Sequence, residues 1–154
     1  MEIRIQKADL TDLDLLMQWR MEVLHEVFPS SEYFYPEGLE EENRSYYEKA
    51  LAAGTHIACF AHADGEIVGC GGMCLYQEMP SPDNPGGWCA YIMNIYCRAA
   101  YREQGVGSSI IHWLSEQAKE RDITKIYLET SESGRGFYDK IGFLEMPDMM
   151  IMPG

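Results

Sequence analysis

The chain has 154 residues, of which 46% are hydrophobic and 24% charged, and its formal net charge is −13. These values suit one globular domain over residues 1–154 with a buried core, and the acidity argues against a basic nucleic-acid-binding face. No apolar run reaches the ~18 residues of a membrane span, and MEIRIQKADL lacks an apolar leader core, so a cytoplasmic protein with no membrane association is expected.

In chain order, Ile3-Arg4-Ile5 alternates as a first strand. Thr11 with Asp14 resembles a capping box, and Leu13, Leu16, Met17, Leu24 and Phe28 recur at helical spacing until Pro29 breaks the run. Tyr33–Gly38 reads as an aromatic loop, and Glu40–Leu51 as a second helix ended by Gly54. His56–Ala63 and Glu66–Leu75 read as strands around the hairpin signal Asp64-Gly65. Gly69, Gly71 and Gly72 weaken the second of these and point to a bulge. After the loop Pro80–Gly87 comes an apolar strand, Trp88–Cys97, then a helix from about Gly105 to Arg121. Ile126–Thr130 is the next strand, a short helix lies around Gly136–Ile141, and the Met-rich run Leu144–Met152 reads as a last strand.

Charge and cysteine use narrow the chemistry. Residues 1–97 hold 5 Lys/Arg against 16 Asp/Glu, a net of −11, whereas residues 98–154 hold 7 against 9, a net of −2. The second half therefore suits an anionic ligand better than the first. Cys59, Cys70, Cys74, Cys89 and Cys97 contain no C-x-x-C pair and lie in apolar runs, which reads as buried, reduced thiols. His25, His56, His62 and His112 have no ligand spacing, so no metal site is expected.

Between the strand ending at Cys97 and the following helix stands Arg102-Glu103-Gln104-Gly105-Val106-Gly107. A glycine-punctuated turn into a helix N-terminus can cradle a phosphate, because the first amides of the helix have no internal partner and its dipole favours negative charge. It is not a Walker loop, since the chain has no Gly-Lys pair. Nor is it the dinucleotide fingerprint, since Ile110 stands where a third glycine belongs. Residues 134–143 form a second motif, GRGFYDKIGF.

These two motifs, in this order, resemble those of the GNAT superfamily of N-acetyltransferases: an Arg-x-x-Gly-x-Gly acyl-CoA pyrophosphate loop, then an aromatic-Tyr-x-Lys-x-Gly-Phe segment beside the CoA thiol. The resemblance covers the whole chain and implies an α/β fold, with a mixed, twisted sheet of about six to seven strands and helices on both faces. It implies acetyl-CoA as cosubstrate. The amides of Gln104, Gly105, Val106, Gly107 and Ser108, with Arg102, would take the pyrophosphate. The amides of Ile95 and Cys97 would face the thioester and pantetheine, making Ile95 a catalytic contact through its backbone. Tyr138 matches the general acid that protonates the leaving thiolate, and Ser131 stands where many members have an asparagine holding the pantetheine arm.

No base is assigned. Some members carry a glutamate where this chain has Tyr91, and Glu22, Glu26, Glu129 or a water held by Asn94 are the open choices. Residues 22–48 interleave eight glutamates with Tyr33, Phe34, Tyr35, Tyr46 and Tyr47, which reads either as a wall for a small cationic amine or as a solvated acidic face over an aromatic core. The leading reading is acetyl transfer to such an amine. Peptide or protein amines, and a non-catalytic acyl-CoA-binding module, are the alternatives. The resemblance also allows a homodimer through edge strands or the Met-rich C-terminal segment.

Overall fold

The computed structural model describes residues 1–154. Asp64 and Gly65 both have positive φ, 52° and 78°, as a two-residue hairpin turn requires. They join β2 (His56–Ala63) to β3 (Glu66–Gln77). β1 (Arg4–Lys7) pairs antiparallel with β2, and β4 (Trp88–Cys97) antiparallel with β3. β5 (Lys125–Leu128) pairs parallel with β4 after a crossover that carries α3 (Val106–Glu120). The sheet is mixed and its five strands lie in sequence order.

Each face is covered by helices. On one, Leu16, Met17, Trp19 and Val23 of α1 (Leu13–Val27) and Tyr47 of α2 (Leu39–Ala53) pack on Ala58, Phe60 and Cys70. On the other, Val106, Ile110, Ile111, Leu114 and Ala118 of α3 close over Ile57, Cys59, Val68, Met73, Ala90 and Ile92. α3 lies close to the sheet where β3 lacks side chains, at Gly69 and Gly71 between Val68 and Met73. A Cβ on Gly71 would stand 2.5 Å from Ile110 Cγ2 and 2.8 Å from Ile95 Cδ1. No helix is long and apolar enough to cross a membrane.

A bulge interrupts β4. Cys70 pairs with Tyr96 and Gly72 with Met93, so Asn94 and Ile95 together oppose Gly71. Asn94 takes a positive φ of 61°, a conformation that asparagine tolerates better than most residues. The extra residue reverses the strand's parity. Before it, Ala90 and Ile92 face α3. After it, Ile95 and Cys97 do, while Tyr96 turns to the α1 side.

Several expectations are corrected. The helix-initiating box is Asp9 with Asp12 rather than Thr11 with Asp14: Asp9 accepts from the Thr11 amide, and Asp12 accepts from the Asp9 amide. β5 spans Lys125–Leu128 rather than Ile126–Thr130, and α4 begins at Glu132 because Ser131 caps it, accepting from the Gly134 amide. The strand expected over Leu144–Met152 does not form. α4 (Glu132–Ile141) ends at Gly142, whose φ is 115°, and the residues after it are irregular and largely exposed. Pro147 lacks a ladder donor, and the methionines around it lack the β-branching that favours strands. The sheet therefore has five strands rather than six or seven, and β5 is left at a free edge.

Candidate functional site

β4 and β5 are paired only as far as Ile92 and Leu128. Beyond them the strands part, so residues 93–97 have a partner on the β3 side alone. The Arg98 amide donates to Val68 O at 2.9 Å on β3. Backbone groups of an extended strand alternate in direction, so the Cys97 and Ile95 amides point the other way, into the opening. The Cys97 carbonyl faces that way as well, where it accepts from Arg102 Nε at 3.0 Å.

The N-terminus of α3 follows at once. Gly105 is its cap residue with φ 89°, and no side chain caps it. The first helical bond is donated by Ser109 to Gly105 O, leaving the amides of Val106, Gly107 and Ser108 without helical partners. Val106 anchors the turn with its buried side chain, and Ser108 is exposed. Gln104 Nε2 donates to Ala100 O at 3.1 Å and holds the loop. A Cβ on Gly107 would meet the Phe137 ring of α4 at 3.0 Å, so the missing side chain also makes room for that helix. Arg102 is turned away toward α1, where Nη2 reaches Glu26 at 3.4 Å. The structure brings together the expected amides, then, but engages the arginine with Cys97 and Glu26.

α4 supplies Tyr138. Its ring packs edge-on against Phe137 at 5.0 Å and Phe143 at 5.7 Å, half-buried against the α3 core. Burial raises its phenol above the ordinary value, so it keeps its proton at neutral pH. Its hydroxyl donates to no protein group. Ser131 serves as the α4 cap and also contacts Ser133 Oγ at 3.0 Å. A Cβ on Gly134 would stand 2.5 Å from Thr130 Oγ1, so a side chain there would have to displace the threonine hydroxyl. A cavity of about 1000 Å³ runs between β5, α4 and the C-terminal segment, with Tyr138 on its wall. None of residues 104–108 lines it, so it is the gap beside the free edge of β5 rather than the cleft at the α3 N-terminus.

On the opposite face, the β4 bulge meets α1 and α2. Arg20 Nη1 donates to Asn94 Oδ1 and Arg20 Nε to Asn43 Oδ1, both at 2.9 Å. Nearby, the Tyr46 hydroxyl lies 2.7 Å from His56 Nδ1 and 3.0 Å from Cys74 Sγ. Tyr91 stacks on Tyr127 at 5.0 Å, and the hydroxyls of Tyr127 and Tyr76 are hydrogen-bonded. Burial, and then the Glu129 carboxylate, push Tyr91 up to about 12. Two of the eight glutamates of residues 22–48 are ion-paired. Glu22 is held by Arg98 at 3.1 Å, which also lowers its pKa, and Glu26 by Arg102, while Tyr47 lies in the core. Sequence reading missed Arg20 and the Tyr46–His56–Cys74 group, because each joins elements distant in the chain.

His56 gives a stability prediction. Its pKa is depressed to about 4, first by burial and then by the Arg20 charge. The unfolded chain, with a histidine near 6.5, binds a proton that the folded chain refuses. This contribution is complete above about pH 6.5 and falls away as pH drops toward 4, by up to ~3 kcal/mol. Urea unfolding at pH 7 and pH 4.5 checks it: His56→Gln is expected to lose less stability between the two than wild type, and an equal loss refutes the assignment.

The comparisons with known proteins agree with this geometry. The model of the acetyltransferase (GNAT) family matches residues 14–143. An N-alpha-acetyltransferase of Sulfurisphaera tokodaii is 28% identical over 94% of this chain and 82% of its own length. Glucosamine 6-phosphate N-acetyltransferase 1 of Oryza sativa is 26% identical over 92% of this chain and 81% of its own. The crystal structure of a predicted acetyltransferase from Clostridium acetobutylicum with acetyl-CoA superposes with a TM-score of 0.86 at 25% identity, over 99% of this chain and 96% of that one. With the family match spanning most of the chain, from the first turn of α1 to the phenylalanine after α4, the chain belongs to the GNAT acetyltransferase family.

Proposed function

We propose that this chain is an acetyl-CoA-dependent N-acetyltransferase that moves the acetyl group to the primary amine of a small molecule by direct attack. The observation that carries the reading is the parting of β4 from β5 after Ile92, next to an α3 N-terminus that no side chain caps. Unpaired amides at both places suit a ligand with an anionic end and a carbonyl end. The Clostridium acetobutylicum structure with acetyl-CoA, and two relatives named as N-acetyltransferases, support the choice of cosubstrate and of a nitrogen acceptor.

In this reading, acetyl-CoA supplies the acyl group and a thiol leaving group. The amides of Gln104–Ser108, with Arg102 released from Glu26, hold its pyrophosphate. The Ile95 amide polarises the carbonyl, the Cys97 amide and Ser131 position the pantetheine arm, and Tyr138 keeps a proton ready for the departing sulfur. The amine gives its proton to solvent water before or during attack, and Tyr138 regains from solvent the proton it gives the thiolate.

The test is thiol release from acetyl-CoA across a panel of amino acids, amino sugars, polyamines and short peptides. A clear small-molecule acceptor is the expected result. Acceptance of peptides alone would replace it with a peptide amine acetyltransferase, and acetyl-CoA binding with no thiol release with any acceptor would replace it with a binding module.

A further inference from the structure

Five of the chain's cationic side chains are half-buried: Arg20, Arg44, Arg98, Lys125 and Arg135. Four of them have carboxylates, namely Asp14, Glu22, Glu78, and Glu132 with Glu145. Arg20 alone has none, in a chain with 25 acidic residues and only 12 lysines and arginines. Its partners are two neutral amide oxygens, Asn43 Oδ1 and Asn94 Oδ1. They occupy Nε and one edge of Nη1, and Nη2 donates to nothing. The Asn94 side chain accepts from Arg20 and makes no other hydrogen bond in the protein.

A half-buried charge with no counter-charge is costly, and proteins rarely leave one so. The fork spans the two asparagines, a reach that a glutamine ending at the level of Nε lacks, and it still leaves Nη2 and the charge unspent. Arg20 also sits at the bulge, bonded to the residue that precedes Ile95. It stands on the α1 side of the sheet, whereas α3 and its N-terminal amides stand on the other. The acceptor must approach the opening from the side that the cosubstrate's phosphates do not occupy. Unspent guanidinium donors beside an unspent amide match a planar or tetrahedral oxyanion.

Resting on the acetyltransferase reading above, we propose that Arg20, with Asn94, binds an anionic group carried by the acceptor, so that the substrate is an amine bearing a carboxylate or a phosphate close to the reacting nitrogen. The bound anion completes the ion pair that the protein leaves open and orients the amine toward Ile95. A cationic polyamine has no group to offer Arg20 and is repelled by it. Arg20 is here a binding and positioning residue and takes no part in the proton transfers.

Thiol release is measured with matched acceptors: α-amino acids against their amides, and an amino sugar phosphate against the free amino sugar. Wild type is expected to favour the anionic member of one pair by roughly ten- to a hundred-fold in kcat/KM, mostly through KM, as for hydrogen bonds to charged groups. Which pair responds tells carboxylate from phosphate. Arg20→Gln, which keeps an amide donor at the level of Nε beside Asn43 but removes the charge and the outer fork, is expected to bring the ratio near one, and Arg20→Lys to an intermediate value. Thermal unfolding and acetyl-CoA titration establish that each variant is folded and loaded. A wild-type preference for neutral or polycationic amines, or an unchanged ratio in Arg20→Gln, overturns the inference while leaving acetyl transfer intact. If no amine releases thiol, inorganic phosphate and N-acetylglycine are titrated into the CoA-bound protein. Binding that Arg20→Gln loses upholds the anion site although the acetyltransferase reading has failed, and no binding to wild type overturns it.

Discussion

Tyr138→Phe is expected to lower kcat by ~100-fold or more with acetyl-CoA affinity nearly unchanged, the size of effect usual for loss of a general acid. The substitution removes one hydroxyl and nothing else that packs. The ring's edge-on contacts to Phe137 and Phe143 remain available, and so does its burial against the α3 core. Because that hydroxyl has no protein partner, its loss strands no buried donor or acceptor and the fold is not taxed. Burial keeps the phenol protonated, which an acid serving a thiolate at neutral pH requires. Steady-state kinetics with saturating cosubstrate, beside a calorimetric titration of acetyl-CoA, separate the two quantities. A kcat equal to wild type removes Tyr138 from the chemistry.

The second large effect is expected at Gly105. Gly105→Val places a β-branched side chain at φ 89°, a conformation it does not hold, although the space around it is open. Strain of ~1–3 kcal/mol is relieved by turning the first amides of α3 out of line. Acetyl-CoA affinity is expected to fall by about a hundred-fold if two or more charge-assisted bonds are lost, at ~1.4 kcal/mol per ten-fold. The core residues of α3 are untouched, so circular dichroism and a cooperative melt should persist. Titration of acetyl-CoA decides the matter: undiminished affinity would place the phosphates elsewhere. Gly107 is a poorer probe, because its missing Cβ makes room for Phe137 and a side chain there would disturb α4 as well.

Much of this architecture was legible along the chain, for reasons of range. Hairpin chemistry at Asp64-Gly65, the apolar run Trp88–Cys97 and the glycine turn into α3 are local signals, and all three stand where the residues put them. The three glycines of β3 announced an irregularity, and the register breaks twice there: against β2, where Val68 of β3 is the added residue beside Gly69, and at Gly71, where β4 supplies it. Local signals failed where a partner decides the outcome. Leu144–Met152 is apolar enough for a strand but contains Pro147, and it pairs with no strand of the sheet. Arg102 was read from a motif, yet its guanidinium is claimed by Glu26, a residue far away in sequence. Arg20 carried no motif at all. Its meaning lies in the absence of a carboxylate, which only the folded chain reveals.

The bulge in β4 has a bearing on how this protein could be improved or could drift. Deleting Asn94 would restore an unbroken ladder with Gly71 and relieve a non-glycine residue of its left-handed backbone. A search for heat-resistant variants would thus be rewarded for erasing it. The same deletion would leave Ile95, Tyr96 and Cys97 opposite Gly71, Cys70 and Gly69 and so on their present faces, but it would remove the amide oxygen that Arg20 holds and the bend of β4 beside the opening. Directed evolution for robustness alone is therefore biased against this strand, and libraries built around the protein should keep residues 93–97 fixed.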